Sequence, residues 1–114
     1  MWKGALPMKL IIAIVNRDDA NAVTQNLTQN GFDSTSLSTK GGFLLASNVT
    51  LLIGVKDEQV QTAINLIRER SHSRQQMVPA LTEMSYGFMP VMPVEVTVGG
   101  ATIFVVDVER FERV

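Results

Sequence analysis

Cysteine is absent from the 114-residue chain, which removes disulfides, thiolate metal ligands and cysteine nucleophiles together. Histidine occurs once, as His72, so no histidine-based metal set can be assembled. His72 lies among serines in an irregular stretch, with no nucleophile or base partner near it in sequence, and reads as an ordinary surface histidine. Cations are also few. Ten Lys and Arg against eleven Asp and Glu leave a net charge of −1, with only Arg68, Arg70 and Arg74 close together. Affinity for a phosphate backbone needs many clustered cations, so a nucleic-acid polymer is not an expected partner. The longest apolar run, residues 10–15, is far short of the roughly twenty residues a membrane-spanning helix requires. Residues 1–7 lack the apolar core and cleavage site of a signal peptide, and the expected location is the cytoplasm, with 1–7 an N-terminal extension to one domain over 8–114.

Catalytic patterns are missing too. Asp18 and Asp19 read as caps of a helix rather than as a paired acid and base, and Glu109 and Glu112 fall in a charged, solvated tail. Gly41-Gly42 has neither the spacing of a phosphate loop nor the strand-to-helix setting of a dinucleotide fingerprint. No catalytic residue, metal or cofactor is expected, and the chain is not expected to be an enzyme.

What is abundant is apolar surface. Hydrophobic residues make up 46% of the chain and the mean hydropathy is +0.16, at or above the usual share for a soluble monomer. A domain of this size still leaves roughly a third of its unfolded surface wet, so part of that excess is expected in a subunit interface. Residues 9–15 form an Ile-rich run with little alternation, which predicts a central strand buried on both faces. Asp18 or Asp19 then opens a helix whose Ala20, Val23 and Leu27 recur at helical spacing until Gly31 ends it. Residues 33–38 alternate as a short polar edge strand, with Asp33, Thr35 and Leu37 on one face.

Residues 39–55 combine a Gly41-Gly42 pair, a Phe-Leu-Leu trio and Asn48 with a β-branched strand over 49–55. Backbone freedom beside bulky apolar side chains, anchored on a rigid strand, reads as a ligand loop. The alternative is a simple hairpin turn with Phe43 and Leu44 in the core. Asp57 opens a second helix, in which Val60, Ala63, Ile64 and Ile67 share a face. Residues 71–93 read as a long irregular connection, of the kind that is either functional or disordered. Its Met77, Met84, Met89 and Met92 offer an adaptable partner surface or merely cover core edges. Residues 94–98 and 101–106 flank Gly99-Gly100, a two-residue hairpin signal, and Val108 and Phe111 anchor a charged tail. The order predicts an α+β fold: a ferredoxin-like βαββαβ sandwich with an antiparallel sheet and an extra C-terminal β-hairpin strand.

Residues 8–15 (Met-Lys-Leu-Ile-Ile-Ala-Ile-Val), the Gly41-Gly42-Phe43-Leu44 loop with Asn48, the strand end Leu52-Ile53-Gly54-Val55, and Pro93-Val94-Glu95-Val96 through Gly99-Gly100-Ala101-Thr102 to Phe104-Val105 occur in order. Together they resemble the PII-like cyclic di-AMP receptor family of Gram-positive bacteria. The resemblance implies a PII-like homotrimer that binds the second messenger cyclic di-AMP at each subunit interface, under the loop between the second and third strands. It further implies that the long loop after the second helix meets a downstream protein that the sequence does not identify.

Residue by residue, the resemblance places the Thr35 hydroxyl on a phosphate or ribose, Asn48 on an adenine edge, and Phe43 and Leu44 as an apolar platform for adenine. Gly42 and Gly54 would bring backbone close to the ligand. Asp33, Ser47 and Arg113 complete the expected ligand-binding set. The chain departs from the family pattern where Arg becomes Asp33, a basic residue becomes Leu45, Gly becomes Ser47 and Thr becomes Val49. Two cations are thereby missing near a doubly anionic ligand, one of them replaced by an anion, which implies weakened affinity. The alternative is a PII-like regulator that has lost cyclic di-AMP and binds another small molecule or a protein partner.

Overall fold

The structure, a computed structural model, describes residues 8–37, 48–79 and 93–114. Strand β1, Met8–Asn16, lies inside an antiparallel sheet, between β3, Asn48–Lys56, and β6, Ala101–Asp107, with the short β2, Thr35–Leu37, on the outer edge of β3. One face of this four-stranded sheet carries helices α1, Arg17–Gln29, and α2, Val60–Ser71, the latter entered through a single 3-10 turn at Asp57–Gln59. This is the expected ferredoxin-like α+β sandwich.

The core forms where strand alternation meets helical spacing. Ile11, Ala13 and Val15 of β1 and Val49, Leu51, Ile53 and Val55 of β3 point to one face. There they meet Val23 and Leu27 of α1 and Ala63, Leu66 and Ile67 of α2. Each large side chain fully buried here contributes about 1.5–3 kcal/mol of hydrophobic transfer. β1 was expected to be buried on both faces; instead Leu10, Ile12 and Ile14, on the face away from the helices, are only half-buried.

Local chemistry sets the helix ends. Asn16, not Asp18 or Asp19, caps α1: its side-chain oxygen accepts from the Asp18 amide at 2.8 Å, so the helix begins two or three residues earlier than expected. At the other end Gly31 takes φ +87°, and the Phe32 and Gly31 amides return to the Leu27 and Thr28 carbonyls at 2.9 and 3.1 Å. That double bond closes the helix and delivers Phe32 into the core. The helices are tied together by the buried Asn26, whose amide donates to the Leu66 carbonyl at 2.9 Å and to Glu69 at 3.1 Å.

Two expectations are corrected beyond α2. Arg74–Pro79 of the expected irregular stretch is a strand, β4, and it pairs antiparallel with β5, Pro93–Val98, in a separate two-stranded ribbon. The extra strand is therefore present as β5, but its partner is β4 rather than β6. Gly99 and Gly100, at φ +78° and +92°, redirect the chain from the ribbon into the main sheet instead of folding β5 back on β6. Hydrogen bonding decides between the two arrangements: the outer edge of β1 is open to β6 along its whole length, and the Gly100 amide is held by the Ser71 carbonyl.

Candidate functional site on the open sheet face

The face of the sheet opposite the helices carries Leu10, Ile12 and Ile14 of β1 and Thr50, Leu52 and Gly54 of β3. β2 adds Thr35 and Leu37, and β6 adds Phe104 and Val106. Neither helix covers it. Phe104, Leu37 and Val106 are 53%, 46% and 42% exposed, so the face presents a connected apolar surface. Such a surface marks an interaction site rather than scattered exposed residues.

Thr35 pairs with Leu52 in the β2–β3 ladder, and Gly54 lies two residues farther along β3 on the same face. The register therefore brings two of the expected ligand residues together at one end of this face. Asn48 shares the face but stands at the start of β3, opposite Asn16. Six residues separate it from Gly54, about 20 Å along an extended strand. Among the described residues, a methyl group added at Gly54 would meet only the Met8 Cε, at 3.8 Å, which is ordinary contact, and none of them demands glycine there.

Asp33 is exposed and precedes β2 rather than forming part of it, so the strand alternation that was to align it with Thr35 does not extend to it. Next to it, the Ser34 hydroxyl is buried with no hydrogen-bond partner among the described residues. Val49 points into the helix-covered core at 6% exposure, so its departure from Thr alters packing rather than the open face. Arg113 is exposed in the segment after β6, where Arg110 and Glu112 form an ion pair. Val108 is tied to Met8 by a backbone bond of 3.1 Å, and Phe111 is 43% exposed. Gly42, Phe43, Leu44 and Ser47, with Lys40 and Leu45, lie outside the described residues.

The sequence reading missed a second cluster. Arg74, at the root of β4, grips Asp19 of α1 with both guanidinium arms, Nη2 to Oδ1 at 2.9 Å and Nη1 to Oδ2 at 3.3 Å. It also donates to the His72 carbonyl at 3.2 Å. The Asp19 side chain is only 9% exposed, and its hydrogen bonds raise the Arg74 pKa above the ordinary arginine range. Gly99 lies against this pair: a Cβ there would collide with Arg74 Nη1 and sit 3.0 Å from the His72 oxygen. The only sequence signals were a doubled Asp at a helix start and a doubled Gly far downstream. Beside the pair, Arg68, Ser71, His72, Ser73, Gly100, Ala101 and Ile103 line an open cleft of about 360 Å³, which contains none of the expected ligand residues. Among the described residues no three or more His, Asp or Glu side chains are grouped to hold a metal.

The family model of the cyclic-di-AMP receptor matches residues 8–114. The chain belongs to the cyclic-di-AMP receptor family. A crystal structure of a functionally unknown protein from Pediococcus pentosaceus ATCC 25745 is 37% identical, covers 96% of this chain and 100% of its own length, and superposes with a TM-score of 0.75. The Arabidopsis thaliana PII protein bound to citrate is 22% identical over 94% of this chain and 82% of its own, with a TM-score of 0.57, and shares the fold. For a member of this receptor family, the ligand class is a cyclic dinucleotide. No helix among the described residues is long and apolar enough to cross a membrane.

Proposed function

We propose that this cyclic-di-AMP receptor is a non-enzymatic signalling protein. Three copies assemble through their open sheet faces, and each subunit interface holds one cyclic di-AMP near Thr35 and Gly54. The observation that carries the reading is Gly54. A glycine inside a strand weakens it and is kept where another backbone or a ligand approaches closely. Gly54 is exposed on the open face, with no clash among the described residues to explain it. The exposed Phe104, Val106 and Leu37 supply the apolar surface that association would bury.

Asn48, Gly42, Phe43, Leu44, Ser47 and Arg113 complete the proposed ligand set, and the bound state is read by a protein partner. The exposed Asp33 carboxylate, two residues from Thr35, weakens binding of a doubly anionic ligand relative to a cation at that position. That same carboxylate favours the second reading, a regulator that has exchanged cyclic di-AMP for a less anionic small molecule or a protein. Calorimetric titration with cyclic di-AMP, paired with light scattering, separates them. The first reading expects a trimer mass and saturable binding of one ligand per chain; a trimer without binding selects the second, and a monomer sinks both.

A further inference from the structure

The β4–β5 ribbon has little to hold it. Among the described elements, β4 and β5 pack substantially only on each other, and Met77 and Val94 are 60% and 42% exposed. Its connections to the body are concentrated at its root. Arg74, the first residue of β4, carries the bidentate pair to Asp19 and the bond to the His72 carbonyl, while the Gly100 amide, just past β5, is bonded to the Ser71 carbonyl. The pair spans the junction, with Gly99 leaving the room that the guanidinium occupies.

We infer that the Asp19–Arg74 pair, closing over Gly99, is a latch that fixes the β4–β5 ribbon against the body of the domain. The bond is of the kind that orients: a planar fork on a carboxylate that is nine-tenths buried holds direction as well as distance. The latch also connects to one member of the proposed ligand set. Asp19 sits in the first turn of α1, whose cap Asn16 stands directly across the β1–β3 ladder from Asn48. A ligand that moves Asn48 therefore acts one cross-strand pair and one helical turn from the latch. This link, unlike the latch itself, rests on the proposed function.

Hydrogen exchange on the full chain tests both. In the ligand-free protein, Asp19→Asn and Arg74→Lys are each expected to speed exchange of the ribbon amides at 75–78 and 94–98 at least about tenfold, with β1 and β3 unchanged. Lysine keeps the charge but loses the fork, so ribbon exchange that stays at the wild-type rate in Arg74→Lys and in Asp19→Asn overturns the latch. Exchange that rises equally in β1 and β3 also overturns it, because the pair would then be a general support of the fold. Saturating cyclic di-AMP is expected to change ribbon exchange in the wild type but not in Asp19→Asn, whose affinity stays within about threefold. A ligand effect that persists in Asp19→Asn overturns the link. Failure of the wild type to bind in a separate titration removes the proposed function and the link with it, and the ligand-free comparison still decides the latch.

Discussion

Thr35 stands directly across from Leu52 in the β2–β3 ladder, on the face that the helices leave open. That pairing places a hydroxyl at the border of an apolar surface and two residues from Gly54, where a ligand can meet a polar edge and a flat backbone together.

Gly54→Val fills that space with a branched side chain. Valine has the higher strand propensity, and among the described residues an added Cβ meets only the Met8 methyl, at ordinary contact distance. The melting temperature is expected to hold or rise while cyclic di-AMP affinity falls at least about tenfold, or 1.4 kcal/mol. Thermal melts and calorimetry check the two halves separately; unchanged affinity would show that nothing approaches Gly54.

Asp33→Arg reverses a charge near the proposed phosphate position. At about 6 Å and an effective dielectric of about 20, one charge pair is worth on the order of 3 kcal/mol, and exposure and salt reduce that. Binding is expected to tighten at least about tenfold, less so at high salt. Equal affinities at two salt concentrations would place Asp33 away from the ligand.

Phe104→Glu and Ile53→Ala distinguish the two faces of the sheet. Ile53 is fully buried, so its truncation is expected to cost about 2–5 kcal/mol in denaturant unfolding. Phe104 is half exposed, and a carboxylate there should instead reduce the mass seen by light scattering from trimer to monomer. A Phe104→Glu protein that stays trimeric would move the assembly surface elsewhere.

Lys9 predicts a pH dependence at the alkaline end. Its hydrogen bond to Asp107, with a weaker contribution from Asp57 at 3.8 Å, raises its pKa above the ordinary lysine range. A pKa higher in the folded than in the unfolded chain stabilises the fold below the ordinary lysine value, and that contribution is lost as pH rises through the folded value. Lys9→Met should flatten the decline in stability above about pH 10.4, measured by urea unfolding across that range.

The sandwich was legible because its signals are local. Gly31 with Phe32 announces the end of α1, the Val60 to Ile67 spacing announces α2, and the β-branched run announces β3. The ribbon was not legible, because Gln75 and Thr97 form a polar rung between strands whose connection is long, and polar residues exposed on both faces leave no alternation to read. Asp19 reads as a cap in sequence because Asp is common at helix starts. Its true partner is 55 positions away, and no spacing rule reaches that far. At the proposed site, the resemblance names Thr35 and Gly54 separately, and only the β2–β3 register shows that they share one face. The facing of Val49 toward the core follows from alternation with Leu51 and Ile53.

The pairing of Lys9 with Asp107 and of Val15 with Ala101 joins the first strand of the sheet to the last. A chain growing on the ribosome can zip β1 to β3 early, but one edge of β1 stays unsatisfied until residues 101–107 have emerged. Closing so long a loop carries an entropy cost that only the final rungs repay, so folding is expected to be slow for a chain of this length. Until then that edge is a template for any other unpaired strand in reach, a neighbouring nascent copy included.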